Sequence, residues 1–147
     1  MAQIITPYIT VKGAAQAIDF YKHAFGAVET GARFTEPSGR VGHAEIAIDG
    51  MRMMLSDEHP EIDVLSPQTL GGTSTMFHLT VGDAAAVVAR AAAAGATIQR
   101  AVAEQPYGER SGTILDPFGH RWMIATPEED VSKGELQSRV GDAYKIT

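Results

Sequence analysis

TVKGAAQAIDFYKHAFGA, residues 10–27, returns in altered form as TVGDAAAVVARAAAAGA at residues 80–96. Thr10 and Val11 correspond to Thr80 and Val81, and Ala14, Ala17, Ile18 and Tyr21 to Ala84, Val87, Val88 and Ala91, all at an offset of 70. Each set follows the i, i+3, i+4, i+7 spacing of one apolar helical face. Gly26 and Gly95 follow as helix stops, and Asp83 is placed to cap the second helix. The correspondence resumes further on at an offset of 69, where Gly50-Met51-Arg52-Met53-Met54-Leu55 matches Gly119-His120-Arg121-Trp122-Met123-Ile124. A turn ending in Asp49-Gly50 precedes the first of these, and Asp116-Pro117-Phe118-Gly119 precedes the second. The chain is therefore an internal duplication, and its fold follows from that of one unit.

Working outward from the two helices, expected at 14–25 and 84–94, strands are expected near 4–11, 28–35, 41–48 and 51–57. The second half gives strands near 76–81, 97–103, 110–115 and 120–125, so each half reads as βαβββ in an α+β fold. The expected organisation is one domain over 1–126, made of module one at about 4–57, a linker at 58–75 and module two at about 76–126. The linker reading rests on its prolines and on Gly71-Gly72. A polar tail, 127–147, follows, with a short helix expected near Ser132–Val140 that either frays or packs on a partner subunit.

Composition narrows the function classes. At 147 residues, 44% apolar and 20% charged, the chain fits one globular domain with a hydrophobic core. It has no cysteine, which excludes disulfides, zinc–thiolate sites and thiol catalysis. The net charge of −6 comes without any cluster of Lys and Arg, so nucleic acid is not an expected partner. No apolar run approaches the ~20 residues that cross a bilayer, and Met1-Ala2-Gln3 opens no secretory signal. Cytoplasmic residence and no membrane association are the expectation.

Several short motifs occur in a telling order: Ala17-Ile18-Asp19-Phe20-Tyr21, Phe25-Gly26-Ala27, His43-Ala44-Glu45, Met54-Leu55-Ser56-Asp57 and Asp116-Pro117-Phe118-Gly119-His120. Their order and spacing resemble the vicinal-oxygen-chelate superfamily over residues 4–126. That group includes glyoxalase I, extradiol dioxygenases, fosfomycin-resistance enzymes and bleomycin-resistance proteins. The resemblance is strongest to the glyoxalase-like, bleomycin-resistance-like branch, with its phosphonate-operon-type members. It implies the glyoxalase/bleomycin-resistance fold: two tandem βαβββ modules forming a curved mixed sheet around a cavity, with the helices on the convex face. It also implies a homodimer, in some members with a cavity shared between chains.

Strand alternation then sorts the side chains of this expected sheet. Thr6, Tyr8 and Thr10, His43, Glu45 and Ala47, and Arg52, Met54 and Ser56 are expected to face the cavity in module one. Met76, His78 and Thr80, Arg110, Gly112 and Ile114, and Arg121, Met123 and Ala125 are expected to do so in module two. Metal-dependent relatives carry His or Glu on the first and last strand of each module. Here those four places hold Thr6, Met54, Met76 and Met123, and thioethers are poor ligands for a hard divalent ion. No metal and no other cofactor is therefore expected. The alternative is a displaced divalent site made by His43, Glu45 and His78, if they converge.

A ligand site is expected from Tyr8, His43, Glu45, Met54, Met76, His78, Arg110 and Met123. Methionines give an adaptable apolar wall, or simply fill a core. Arg110 follows the Pro106–Glu109 loop and is expected to meet an anionic group, whereas Arg52 and Arg121 fit rim ion pairs equally well. His43, Glu45 and His78 are the candidate catalytic residues, since a carboxylate raises the basicity of a paired imidazole. His23 and His59 read as surface, His120 as a turn residue and Trp122 as core. The preferred function is metal-independent binding of a small, partly aromatic or cationic molecule, of the sequestration or resistance type. The alternative is a glyoxalase-like lyase, isomerase or dioxygenase. A third possibility, a small-molecule-responsive interaction module, has no positive feature in the sequence.

Overall fold

The computed structural model describes residues 1–147. Module one runs β1 (Tyr8–Val11), α1 (Ala14–Phe25), β2 (Val28–Thr35), β3 (Val41–Ile48) and β4 (Met51–Asp57). The linker holds a 3-10 turn, Pro60–Ile62, and a one-turn helix α2, Pro67–Leu70. Module two repeats the pattern as β5 (Met76–Thr80), α3 (Ala84–Ala93), β6 (Thr97–Glu104), β7 (Glu109–Leu115) and β8 (Arg121–Pro127), and the tail carries α4 (Lys133–Val140). Each module is a four-stranded mixed sheet, ordered β1-β4-β3-β2 and β5-β8-β7-β6, in which the first strand lies parallel to the last.

The duplication extends to the way each helix begins. Gly13 precedes α1 in the left-handed region and offers no side-chain cap. The carboxylate of Asp57, at the end of β4, supplies it: Oδ1 accepts from the Gly13 and Ala14 amides at 2.9 and 2.7 Å, and Oδ2 from the Val41 amide at 2.7 Å. In module two the residue 69 places on, Thr126, accepts from the Ala84 amide at 2.8 Å, and Asp83 caps its own helix through the Ala86 amide. These caps satisfy amide groups that the first helical turn leaves without partners.

α1 packs on the first sheet, α3 on the second, and the two helices lie against each other, so one core runs through both modules. Tyr21 and Phe25 of α1 reach across to Trp122 of β8, with ring centroids 5.6 and 4.7 Å apart. Asp116, buried in the β7–β8 turn, gathers four donors: the Tyr21 hydroxyl at 2.5 Å, Trp122 Nε1 at 2.9 Å, and the Phe118 and His120 amides at 2.9 and 3.0 Å. His120 is itself buried, and its Nε2–H donates to the Thr10 carbonyl of β1 at 2.9 Å, tying the two modules together.

One strand boundary changes, and the tail has contacts within its own chain. β1 begins at Tyr8 rather than near residue 4, because the residues before it have no sheet neighbour; Pro7, which has no N–H, contributes only its carbonyl, accepting from Met54. The tail packs on its own chain: the Gly108 carbonyl accepts from the Glu128 and Glu129 amides, and Arg139 bonds the Pro106 carbonyl and the Glu129 carboxylate. The linker is also ordered. The Glu58 carboxylate accepts from the Ser66 hydroxyl at 2.6 Å and its amide at 2.7 Å, and this holds its pKa down to about 2.

Candidate functional site on the concave sheet faces

Cross-strand partners share a sheet face, so the registers assign the side chains away from the helices. In module one Tyr8, Met54 and Glu45 lie side by side across β1, β4 and β3, with Thr30 of β2 beyond. His43 neighbours Phe34 on β2, and Arg52 neighbours Ala47. The opposite face carries Ile9, Val11, Ala44, Ile46, Met53 and Leu55, all buried in the core. Apart from Thr6, which precedes β1, the expected inward set of module one is thus the set the structure turns away from the helices.

These residues form a chain of hydrogen bonds. Arg52 donates to Glu45 Oε2 at 2.9 Å, and Glu45 Oε1 lies 3.3 Å from His43 Nε2. Contact with His43 first, and Arg52 second, holds the Glu45 carboxyl below the usual carboxylate range, so it is ionised at neutral pH and can only accept. In the neutral ring Nε2 then carries the hydrogen, which leaves Nδ1 to accept from the Tyr8 hydroxyl at 2.8 Å. The His43 ring lies between two others, 5.5 Å from Tyr8 and 5.7 Å from Phe34. Tyr8 is 52% exposed and Phe34 62% exposed, so two aromatic rings stand open beside a polar network. Phe34 was not among the expected residues. The second strands of the two halves, VETGARFT and TIQRAVAE, share no pattern, and the repeat therefore says nothing about their faces.

Module two is built differently on the same frame. Met76, His78 and Thr80 neighbour Arg121, Met123 and Ala125, and on β7 the residues beside Met123 and Ala125 are Thr113 and Ser111. The side chains of β7 on this face are therefore Glu109, Ser111, Thr113 and Leu115, which corrects the expectation for Arg110, Gly112 and Ile114. Ile114 is fully buried in the core, and Arg110 points to the helix side, neighbour to the Thr126 that caps α3. The reason is turn length. Two residues, Asp49-Gly50, join β3 to β4, whereas Asp116–His120 join β7 to β8. The offset on the third strand is 68 rather than 69 (Ala44 and Gly112 both face the last-strand core residue), and a one-residue slip exchanges the faces. Glu109 takes the place expected of Arg110, and its Oε2 lies 3.3 Å from His78 Nε2.

His43 and His78 are thus paired with different carboxylates, Glu45 and Glu109, and no three His, Asp or Glu side chains come together as a metal site would need. The displaced His43–Glu45–His78 site does not assemble. A divalent ion of the family's metal-dependent members also does not fit the side chains at the four ligand places: Thr6, Met54, Met76 and Met123 offer a hydroxyl and three thioethers. Two clefts run beside β1 and share Ile5, Pro7 and Phe77. One, of about 560 Å³, reaches Tyr8, Thr10 and the linker; the other, of about 410 Å³, reaches Thr6, Arg52 and His78. Arg121 instead donates to Gln99 at 3.2 Å, a surface contact. No helix is long and apolar enough to cross a membrane.

Comparison with known proteins agrees with this architecture. An uncharacterised protein of Mycobacterium tuberculosis is 42% identical over 137 residues, 91% of this chain and 80% of that protein. The X-ray structure of an Arabidopsis thaliana gene product is 28% identical, with a TM-score of 0.66, over 85% of this chain and 99% of that one. A glyoxalase/bleomycin resistance protein/dioxygenase family enzyme from Burkholderia phytofirmans, 20% identical, shares the fold with a TM-score of 0.65 over 86% of this chain and 99% of its own. The family model of the Glyoxalase/Bleomycin resistance protein/Dioxygenase superfamily matches residues 3–124. With its two βαβββ modules in tandem, the chain belongs to that superfamily, the vicinal-oxygen-chelate group.

Proposed function

We propose that this protein binds a small, partly aromatic molecule on the concave face of module one without a metal ion, as a sequestering protein. The observation that carries the reading is the pair of open rings, Tyr8 and Phe34, flanking His43 above an ionised Glu45 and beside Met54. An exposed aromatic ring standing on a strand offers a planar ligand a stacking partner, and the carboxylate and phenol oxygens offer acceptors for its N–H or O–H groups. Met54, Met76 and Met123, where metal-dependent relatives have imidazole or carboxylate, support a soft apolar wall rather than a coordination sphere. Exposed Ile4, Ile5 and Val28 support a homodimer in which a second copy covers part of the concave surface; residence in the cytoplasm is the accompanying part of the proposal.

The test is a thermal-shift screen of planar aromatic compounds with basic or hydroxyl substituents, run with and without Zn²⁺, Ni²⁺, Mn²⁺ and Fe²⁺. A stabilising compound is expected whose effect no metal alters. Phe34→Ala should weaken it by the ~0.5–1.5 kcal/mol of a stacked pair, about two- to tenfold in Kd. Tight stoichiometric metal, or an affinity indifferent to Phe34→Ala, would reject the reading.

A further inference from the structure

We infer that the Tyr8 hydroxyl oxygen is a proton-accepting catalytic group driven by His43, and that it acts on an aromatic or enolic acid, a compound with an ionisable O–H. The inference rests on module one's concave face being the ligand site and departs from sequestration alone: the bound molecule is also transformed there.

The direction of the hydrogen bonds carries the argument. Arg52 and His43 Nε2 both donate to Glu45, so with the imidazole neutral His43 Nδ1 is an acceptor, and the Tyr8 hydroxyl lies 2.8 Å from it as donor. The phenol proton thus points inward at a base, and the oxygen's free lone pairs point out. Tyr8 comes from β1, His43 and Glu45 from β3 and Arg52 from β4, so three strands converge on a single proton path. A purely structural polar network has no need of an exposed terminus, yet this one ends on a half-exposed phenol beside an open aromatic ring.

The other three tyrosines make the contrast. Tyr21 is buried and donates to Asp116. Tyr107 and Tyr144 are 44% and 69% exposed, and neither hydroxyl is hydrogen-bonded to a histidine. In the step proposed, the substrate O–H proton passes to the Tyr8 oxygen as the phenol's own proton passes to His43 Nδ1. The products are a substrate anion and an imidazolium held against Glu45. One O–H bond of the substrate breaks, one N–H bond forms, and no oxidant or co-reactant takes part. Return of the proton to a different atom of the substrate completes a prototropic isomerisation. Tyr8 touches the substrate; His43, Glu45 and Arg52 are positioning residues that act through it.

The relay is tested without knowledge of the substrate, using phenylmethanesulfonyl fluoride on the intact protein at pH 8. Attack of the Tyr8 oxygen on sulfur forms a sulfonate ester and expels fluoride, while the phenol proton goes to His43. Labelled tyrosines are followed by peptide mass spectrometry. General-base assistance is worth about 10²–10⁴-fold in enzymes, and a label rate at Tyr8 at least ~10-fold above that at the more exposed Tyr144 is expected. His43→Ala should bring Tyr8 down to the Tyr144 rate, with added imidazole restoring part of the loss. Glu45→Gln, which keeps the side-chain shape, should give a smaller loss. Equal rates at Tyr8 and Tyr144 in the wild type overturn the inference, as does unchanged Tyr8 labelling in either variant. So does a folded His43→Ala protein, judged by circular dichroism, that imidazole fails to rescue. The two readings fail separately: ligand affinity in Phe34→Ala tests the binding face, and the Tyr8 label rate against that of Tyr144 in the wild type tests the relay. Fast Tyr8 labelling without any ligand on this face would refute the binding proposal and spare the relay.

Discussion

Tyr21→Phe is expected to lower stability and also to change how stability depends on pH. The substitution keeps the ring that packs on Phe25 and Trp122 and removes one oxygen, so no large cavity forms. What is lost is a 2.5 Å hydrogen bond to a buried carboxylate whose Oδ2 is then left with Trp122 alone. A hydrogen bond to a charged group contributes about 1.5–3 kcal/mol. With an unfolding entropy of about 2.1 cal/mol/K per residue, that is a fall in Tm of roughly 5–10 °C for a chain of this size.

The pH dependence is more diagnostic. Burial first, then the Asp116 charge and its hydrogen bond, push the Tyr21 phenol well above its ordinary value of 10.0. A raised acid contributes stability that is whole below pH 10 and is lost above it, because the unfolded chain releases the proton while the native state keeps it. The slope is about 1.4 kcal/mol per pH unit over that window. Urea unfolding of wild type and variant at pH 8, 9, 10 and 11, followed by the fluorescence of the single Trp122, gives both quantities. The two curves should lie apart by a constant amount up to pH 10 and converge beyond it. Curves that stay parallel through pH 11 would falsify the assignment of Tyr21 as an uncharged donor to Asp116.

Three further outcomes follow from the same geometry. Asp57→Ala removes the acceptor for three amides at the start of α1 and β3 and should cost about 2–4 kcal/mol, read by chemical unfolding; a cost below that of an ordinary surface substitution contradicts the remote-cap role. Glu58, whose pKa is lowered from 4.5 to about 2, contributes stability that is present above its ordinary value and is lost as pH falls through that interval. Glu58→Gln should therefore flatten the acid limb of a Tm-against-pH profile, and an unchanged limb counts against the Glu58–Ser66 clasp. Gly108 has φ +90°, and a Cβ there would collide with the Glu129 carbonyl, so Gly108→Ala should release the tail. Limited proteolysis should then cleave within 127–147 faster than in the wild type, and equal rates would show that the tail is held elsewhere.

The fold was legible because a duplicated pattern reports the same structure twice, so each helix was supported by its counterpart. The faces of β1, β3, β4, β5 and β8 followed from alternation, since Ile9, Ala44, Leu55 and Ile124 mark the buried side. β7 failed because alternation is only as good as the register. The equivalent pairs Ala47–Arg52 and Leu115–Arg121 enclose four and five residues, and that one extra residue moved the offset by one and exchanged Arg110 for Glu109. The lengths of the two turns, Asp49-Gly50 against Asp116–His120, were the signal that could have shown it. Neither the Tyr8–His43 bond, which crosses over β4, nor the bond from Tyr21 to Asp116 is encoded locally, as their partners lie 35 and 95 residues apart.

The seam between α1 and α3 bears on ancestry. Half of this chain, by itself, would present Tyr21 and Phe25, or Val87, Val88 and Trp122, to water. Asp116 would lose the donor that comes from the other half. A single βαβββ unit with these residues would leave an apolar face without cover. A self-pairing subunit, with one copy's helix covering the other's, would close the same seam between two chains. Fusion then freed the halves from identity, and each concave face could drift toward its own chemistry: a phenol–imidazole–carboxylate chain on one side, thioethers and a lone His–Glu pair on the other.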